Sequence, residues 1–457
     1  MREFLLDLDE RDGRRAGLER ALRSAIRDGR LPAGTLLPST RTIAADYSMA
    51  RATVVAAYEQ LVIEGYLKAV QGVGTSVAEV HRQEPGKPEE PNPWDVTPAF
   101  DFRPGEPDGG QFPRSAWGNA FKRVLSETNE GGFGYADPRG VAPLRTVLAE
   151  YLGRSRAVVA TASSVNVFGG ANSAFGFLAE TFRRAGITHI AVEDPSLFFL
   201  RDVFALHDLE LIPVPIDSEG IRVDHLETLD VGAVLVTPAH QFPLGVTMSA
   251  ERRSALVSWA RTNNAWIIED DYDGEFRYDR RPIGSLQGLD PERVIYAGTV
   301  SKMLSPALRI SWLAVPDELN GPLNQVKQLR GGVSSIEQLA LADFIDRGDL
   351  DRHLRSSRTL YQARREALCT ALADVAPWLE LSTAQAGLHL AAQISGAFKE
   401  NDVVGAAMQA DVGLTGFGPM WLGQPTSEGL IIGYSRPAEH QFSLALERLS
   451  ELLGSIG

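Results

Sequence analysis

One cysteine, Cys369, stands in 457 residues, which excludes an internal disulfide and a cysteine-rich metal site. It lies in "REALCTAL", a stretch with helical spacing, so a buried and inert thiol is expected. No apolar run approaches the roughly 20 residues that span a bilayer. The opening stretch, "MREFLLDLDERDGRR", carries early charges and only a very short apolar run, unlike a signal peptide. A reducing, cytoplasmic setting is the expectation. Cations are also in deficit: 45 Lys and Arg stand against 59 Asp and Glu, a net charge of −14. Taken whole, that balance argues against a nucleic-acid partner. The rest is ordinary for a globular chain, with 44% hydrophobic and 23% charged residues, and the length points to two or three domains.

The charge deficit is not uniform. In residues 11–76 ten Arg and Lys oppose six acids, a net of +4 that leaves −18 on the remainder. Residues 81–98, "HRQEPGKPEEPNPWDVTP", hold five prolines and read as a semi-extended linker. They divide a head, residues 1–80, from a body, residues 99–457.

The head reads as three helices and a hairpin. Leu18, Leu22 and Ile26 have helical spacing, and "GRLPAG" ends that helix. Ser39 is placed to cap a second helix. A third carries Val54, Val55, Tyr58, Leu61 and Val62 on one face until Gly65 stops it. "GYLKAVQGVGTSVA" then alternates around Gly72 and Gly74 as a small β-hairpin. A helical pair followed by a glycine-tipped hairpin makes a winged helix-turn-helix. Arg41 starts the second helix, and Arg51 and Thr53 start the third, where a recognition helix meets base edges. Gly72 and Gly74 let the wing approach phosphates. A small protein-interaction module is the plainer reading, and these polar positions argue against it. The stretch "LPSTRTIAADYSMARATVVAAYEQLVIEGYLKAVQGVGT" resembles the GntR family of bacterial regulators. That implies a double-stranded DNA operator as partner.

The body alternates short apolar runs with amphipathic segments. "THIAV", "LELIPV", "GAVLVT", "AWIIED", "RVIYAG" and "LRISWLAV" are expected strands of a mainly parallel, helix-covered α/β sheet. From about residue 330 the pattern changes to long helices and the short strands "GLHLAAQI" and "GLIIGYS", which predicts a smaller α+β subdomain.

Ligands of such sheets bind beyond the carboxyl ends of the strands. Three strands here run into polar groups: "AWII" into Glu269, Asp270, Asp271 and Tyr272, "GAVLV" into "TPAHQFPLG", and "RVIYA" into "GTVSKMLSPALRIS". Any one is explained by a solvated turn. Together they gather an amine, an acid, a phenol, hydroxyls and a guanidinium, the set that pyridoxal 5'-phosphate requires. Lys302 would supply the amine for the aldehyde. Asp270 would keep the pyridine nitrogen protonated. Tyr272 could bond the ring hydroxyl, while Arg309, Thr299 and Ser301 would hold the phosphate with Gly170, Ala171 and Asn172 at a strand-to-helix junction. No metal is expected.

"YADPRGVAPLR", "GGANSAF", "IIEDDYDGEF" and "GTVSKMLSPALRIS" resemble the fold-type I aminotransferases over roughly residues 100–457. The resemblance implies that Tyr135 reaches across a homodimer to the phosphate on the other subunit, and that Gln241 is a cofactor contact. Head and body together resemble the MocR/GabR subfamily of GntR regulators, with "FRPGEPDGGQFPRSAW" and "TPAHQFPLG". Four departures stand out. Leu197 occupies the place of the ring-stacking aromatic, with Phe198 and Phe199 beside it as substitutes. Phe199 occupies the place of a carboxylate-binding arginine. Phe242 replaces the asparagine of "NPTG", and Arg436 lies just past "GLIIGYS" rather than inside it. Efficient transamination needs a carboxylate clamp to position its substrate. The departures therefore favour a regulator that senses a small amine, an amino compound or the cofactor over an aminotransferase with an accessory head.

Overall fold

The computed structural model describes residues 13–70, 72–79, 97–279, 283–330, 332–396 and 398–456, with Leu6 and Leu8. The chain forms two compact units, residues 1–96 and 97–457. Of the linker expected over 81–98, only Thr97 and Pro98 are among the described residues.

In the first unit, helix α1 (Arg14–Arg27) precedes the pair α2 (Thr40–Asp46) and α3 (Arg51–Ile63), and strands β1 (Leu67–Val70) and β2 (Gly74–Val77) form an antiparallel wing. Ser39 caps α2, its hydroxyl accepting the Thr42 N–H at 3.2 Å. Gly65, at φ +80°, ends α3, and the Tyr66 N–H closes back on the Leu61 carbonyl at 2.9 Å. Leu18, Leu22, Ile26, Ile43, Val54, Tyr58 and Leu61 form one core. Ala57 takes the place in it expected of Val55, which stays half-buried because α3 packs on α1 along the 54–57–58–61 stripe.

The second unit opens with a short strand, β3 (Phe100–Asp101). Its central sheet holds β4 (Val165–Phe168), β5 (His189–Asp194), β6 (Glu210–Asp217), β7 (Gly220–Ile221), β8 (Ala233–Val236), β9 (Trp266–Asp270), β10 (Val294–Thr299) and β11 (Ser311–Ala314). Their spatial order is β4-β11-β10-β9-β8-β5-β6-β7. From β6 to β10 the pairing is parallel, and β11 and β7 run antiparallel. Both faces are covered, so the strands read as apolar runs. Ile190, Val192, Leu235, Ile268 and Ile295 pack against the helix Ala171–Arg184 on one face, and Ala191, Val234, Val236 and Ile267 against the helix Ala250–Thr262 on the other.

A smaller antiparallel sheet follows, with β12 (Leu379–Leu381), β13 (His389–Ile394), β15 (Thr415–Gly416) and β16 (Gly429–Gly433), while β14 (Val412–Gly413) pairs with β3. Cys369 lies on the long helix Asp349–Val375 and is only half-buried, since the helix packs through the Leu368 and Leu372 face. No helix among the described residues is long and apolar enough to cross a membrane.

The loop after β9 is pinned by a buried ion pair. Arg156 Nε and Nη2 lie 2.6 and 2.9 Å from the Asp271 carboxylate, and the Tyr296 hydroxyl donates to it at 2.7 Å. Both partners' side chains are at most 3% exposed. Removing one partner leaves an uncompensated charge, so Arg156→Ala should cost about 3–5 kcal/mol in chemical denaturation. Arg154→Ala breaks an exposed pair with Asp351 and should cost no more than about 1 kcal/mol. Similar losses in the two variants would remove this pair as the anchor of the loop.

Candidate functional site

In register with Ala297 on neighbouring β10, Asp270 ends β9, so the acid and the turn that follows β10 share one sheet edge. Lys302 lies in that turn, half-buried, its ammonium donating to the Gly105 carbonyl. Gly105 has φ +104°, and a Cβ there would stand 3.3 Å from Lys302 Nζ. Burial pushes the lysine below its ordinary pKa, opposed by the charges of Asp273, Asp270 and Glu106.

Three consecutive acids at this edge have different fates. Glu269 accepts the backbone N–H groups of Leu286 and Gln287 at 2.9 and 3.0 Å. Asp271 is held by Arg156 and Tyr296. Asp270 is 8% exposed, and its carboxylate has no hydrogen bond or ion pair among the described residues. Burial pushes Asp270 up to about 7, repulsion from Asp271 adds to this, and the charge of Lys302 opposes it.

An anion cradle lies beside them. The helix Ala171–Arg184 starts from Gly170 at φ +98°, and a Cβ on Gly170 would meet Arg309 Cζ at 2.8 Å. Arg309 is exposed, and its guanidinium makes no ion pair or hydrogen bond among the described residues. A free guanidinium over a helix N-terminus is a site for a phosphate dianion. Ala171 and Asn172 form the first turn of that helix. Thr299 is buried and caps the turn, accepting the Ser301 N–H at 3.1 Å, with its hydroxyl 2.9 Å from that of Ser301.

The other expected residues lie in varied settings. The Tyr272 hydroxyl donates to the His240 carbonyl at 3.0 Å and lies 3.1 Å from His240 Nδ1. The Gln241 amide is fully used by the backbone, donating to Pro195 and Phe242 carbonyls at 2.8 and 2.7 Å and accepting from the Leu244 N–H at 3.1 Å. Tyr135 is fully exposed. Leu197 packs with Phe242, Ile431 and Tyr272, while Phe198 and Phe199 meet edge to face at 6.1 Å. Arg436 pairs with Asp101 at 3.1 Å and Glu106 at 3.2 Å. His240 and Asp273, which fall inside "TPAHQFPLG" and "IIEDDYDGEF" without a role there, and Glu193 near the end of β5 line the same edge.

In the head, Arg15, Arg23 and Arg30 pair with Glu19, Glu64 and Asp28. The side chains of Arg41, Arg51 and Lys68 are exposed and make no ion pair or hydrogen bond among the described residues. Thr53 is half-buried two residues after Arg51, and Gly72 and Gly74 turn the wing at φ +82° and +122°.

Comparisons with known proteins divide the chain in the same way. Residues 15–77 match the bacterial regulatory proteins of the gntR family, and residues 98–412 match the class I and II aminotransferases. The chain is 35% identical over 437 residues to the uncharacterized HTH-type transcriptional regulator YhdI of Bacillus subtilis, covering 93% of this chain and 92% of that protein. It is 33% identical over 456 residues to the "Probable rhizopine catabolism regulatory protein MocR" of Rhizobium meliloti, covering 94% and 92%. Among solved structures, an archaeal alanine:glyoxylate aminotransferase superposes with a TM-score of 0.72 at 24% identity, over 79% of this chain and 92% of that one.

The Asp270 environment has a measurable consequence. A carboxyl whose folded pKa is raised contributes stability below its unfolded pKa and loses it as pH rises through the folded value, here about 7. Asp270→Asn should therefore raise the unfolding midpoint of the ligand-free protein at about pH 8 and change it little at about pH 4. A variant destabilised at the higher pH would mean that the carboxylate already has a partner.

Proposed function

The chain belongs to the MocR-type HTH transcriptional regulators of the GntR family, and we propose that its aminotransferase-like body holds pyridoxal 5'-phosphate and senses a small amine or amino compound. The observation that carries this is Asp270, a buried carboxylate without a partner beside a half-buried lysine. The donor set suits the group. Asp270 would keep a ring nitrogen protonated, Lys302 would present its amine, and Arg309 with the Gly170–Ala171 helix start would take a phosphate. Thr299 and Ser301 add hydroxyls, and Tyr272 a phenol. When bound, the cofactor supplies an aldehyde that bonds primary amines and a ring that draws electron density. Tyr135, free of its own chain's core, is available to a second copy in a homodimer.

Sensing fits these residues better than turnover. Leu197, Phe242 and Ile431 make the wall beside Tyr272 apolar, and Arg436 is already engaged by Asp101 and Glu106. A substrate carboxylate is thus offered no free guanidinium by these residues, and positioning for transfer suffers. The head supplies the output. Arg41, Arg51 and Lys68 are solvated and unpaired, as contacts to an operator in the cytoplasm require.

Two outcomes are expected. Borohydride reduction of the protein saturated with pyridoxal phosphate, followed by peptide mapping, should place the cofactor on the peptide containing Lys302. A label on another lysine would overturn the assignment. Arg51→Ala should weaken operator binding by about 1–3 kcal/mol if it reads a base edge, and leave the cofactor absorbance unchanged. Unchanged DNA affinity would mean that α3 is not the recognition helix.

A further inference from the structure

Behind Tyr272 runs a hydrogen-bond chain closed off from water. His240 Nδ1 lies 3.0 Å from Asp273 Oδ2 and 3.1 Å from the Tyr272 hydroxyl, whose own proton is directed to the His240 carbonyl. His240 and Asp273 are 3% and 2% exposed. An ionised carboxylate can only accept, so Asp273 fixes the imidazole tautomer with its proton on Nδ1. That N–H then presents a positive edge to the phenol oxygen.

The smaller subdomain shapes the space. Gly387 has φ +82°, and a Cβ there would lie 2.0 Å from His240 Cε1 and 2.8 Å from Asp273 Oδ2. The Tyr278 and Tyr434 hydroxyls both donate to the Gly387 carbonyl, at 2.7 and 2.6 Å, and hold it in place. The His389 ring lies 5.0 Å from that of His240 and donates through Nε2 to the Pro243 carbonyl at 3.1 Å. Burial and the proximity of His240 push His389 down to about 3, so it adds no charge. Burial lifts the Tyr272 phenol well above its ordinary range, and the charges of Asp273, Asp270 and Glu193 add to that. Lys302 faces Asp273 and Asp270, and its charge also reaches His389.

We propose that Asp273 and His240 are positioning residues that fix and polarise the Tyr272 phenol and so set the protonation state of the group bound at Lys302. The proposal rests on the pyridoxal phosphate reading given above. Its motivation is geometric: both residues stand behind the phenol rather than in the anion cradle, and Gly387 stands where any side chain would displace the imidazole.

The test follows the absorbance of the bound cofactor against pH in holoprotein. In wild type, Tyr272→Phe, His240→Asn, His240→Phe and Asp273→Asn the midpoint of that titration is compared. Each His240 variant should move it in the same direction as Tyr272→Phe, by about one pH unit, the scale on which interacting titrations separate. Combining either with Tyr272→Phe should add nothing further. Additive shifts, or no shift in the His240 variants, overturn the proposal. His240, Asp273 and His389 also bring ligand atoms within 4.8 Å of one another. A wild-type titration altered by EDTA would therefore overturn it in favour of a metal site. A second readout needs no cofactor. Isotope-labelled histidine in the ligand-free protein should show an Nδ1-protonated His240 signal that Asp273→Asn removes, and an Nε2 tautomer overturns the proposal. A wild type that forms no cofactor adduct refutes the proposed function instead, and the tautomer measurement still decides the His240–Asp273 pairing.

Discussion

A carboxylate taken out of water needs a cation, donated hydrogen bonds or a proton. The acids at the end of β9 meet this constraint in different ways. Glu269 receives two backbone amides, and Asp271 receives Arg156 and Tyr296. Asp270 between them receives neither. A fold that satisfies both neighbours has the means to satisfy the third, so the missing partner is a property of the site. The parallel pairing of β9 with β10 brings Lys302 to the same edge, and the Arg156 pair keeps the intervening loop from relaxing onto Asp270. Perturbed, unpartnered groups in such a place mark ligand sites more often than structural ones.

The same contrast runs through the cations. Most arginines of α1 are tied to acids or polar groups of the head, whereas Arg41, Arg51 and Lys68 are not. In the body, Arg436 is doubly engaged while Arg309 stands free over a helix start. Under the proposed function, Arg41, Arg51 and Lys68 are the cations offered to a nucleic-acid backbone, and Arg309, set over a helix start, is the one offered to a phosphate.

Much of this was legible in the order of residues. "AWIIED" and "RVIYAG" are apolar because β9 and β10 are covered on both faces, and their boundaries fall within a residue of expectation. Ser39, Gly65, Gly72 and Gly74 announce a cap and turns through local chemistry alone. The cofactor candidates were legible for the same reason, since Asp270 ends β9, Lys302 follows β10 by three residues and Arg309 precedes β11 by two. What could not be read is long in sequence and short in space. Arg156 and Asp271 are 115 residues apart, and His240 and Asp273 are 33 apart on different loops. No periodicity links such positions. The burial of Val55 was misjudged because helical spacing alone leaves the width of the apolar stripe open, and the packing of α1 on α3 settles it.

The account joins a ligand site in one unit to DNA contacts in the other. The most direct test is operator affinity of the full chain, measured with pyridoxal phosphate present while a panel of primary amines is titrated. The account predicts that at least one amine shifts the affinity of the wild type and that Lys302→Ala, with unimpaired basal DNA binding, shows no such shift. An equal response in Lys302→Ala would contradict it, because the signal would then not pass through the lysine beside Asp270.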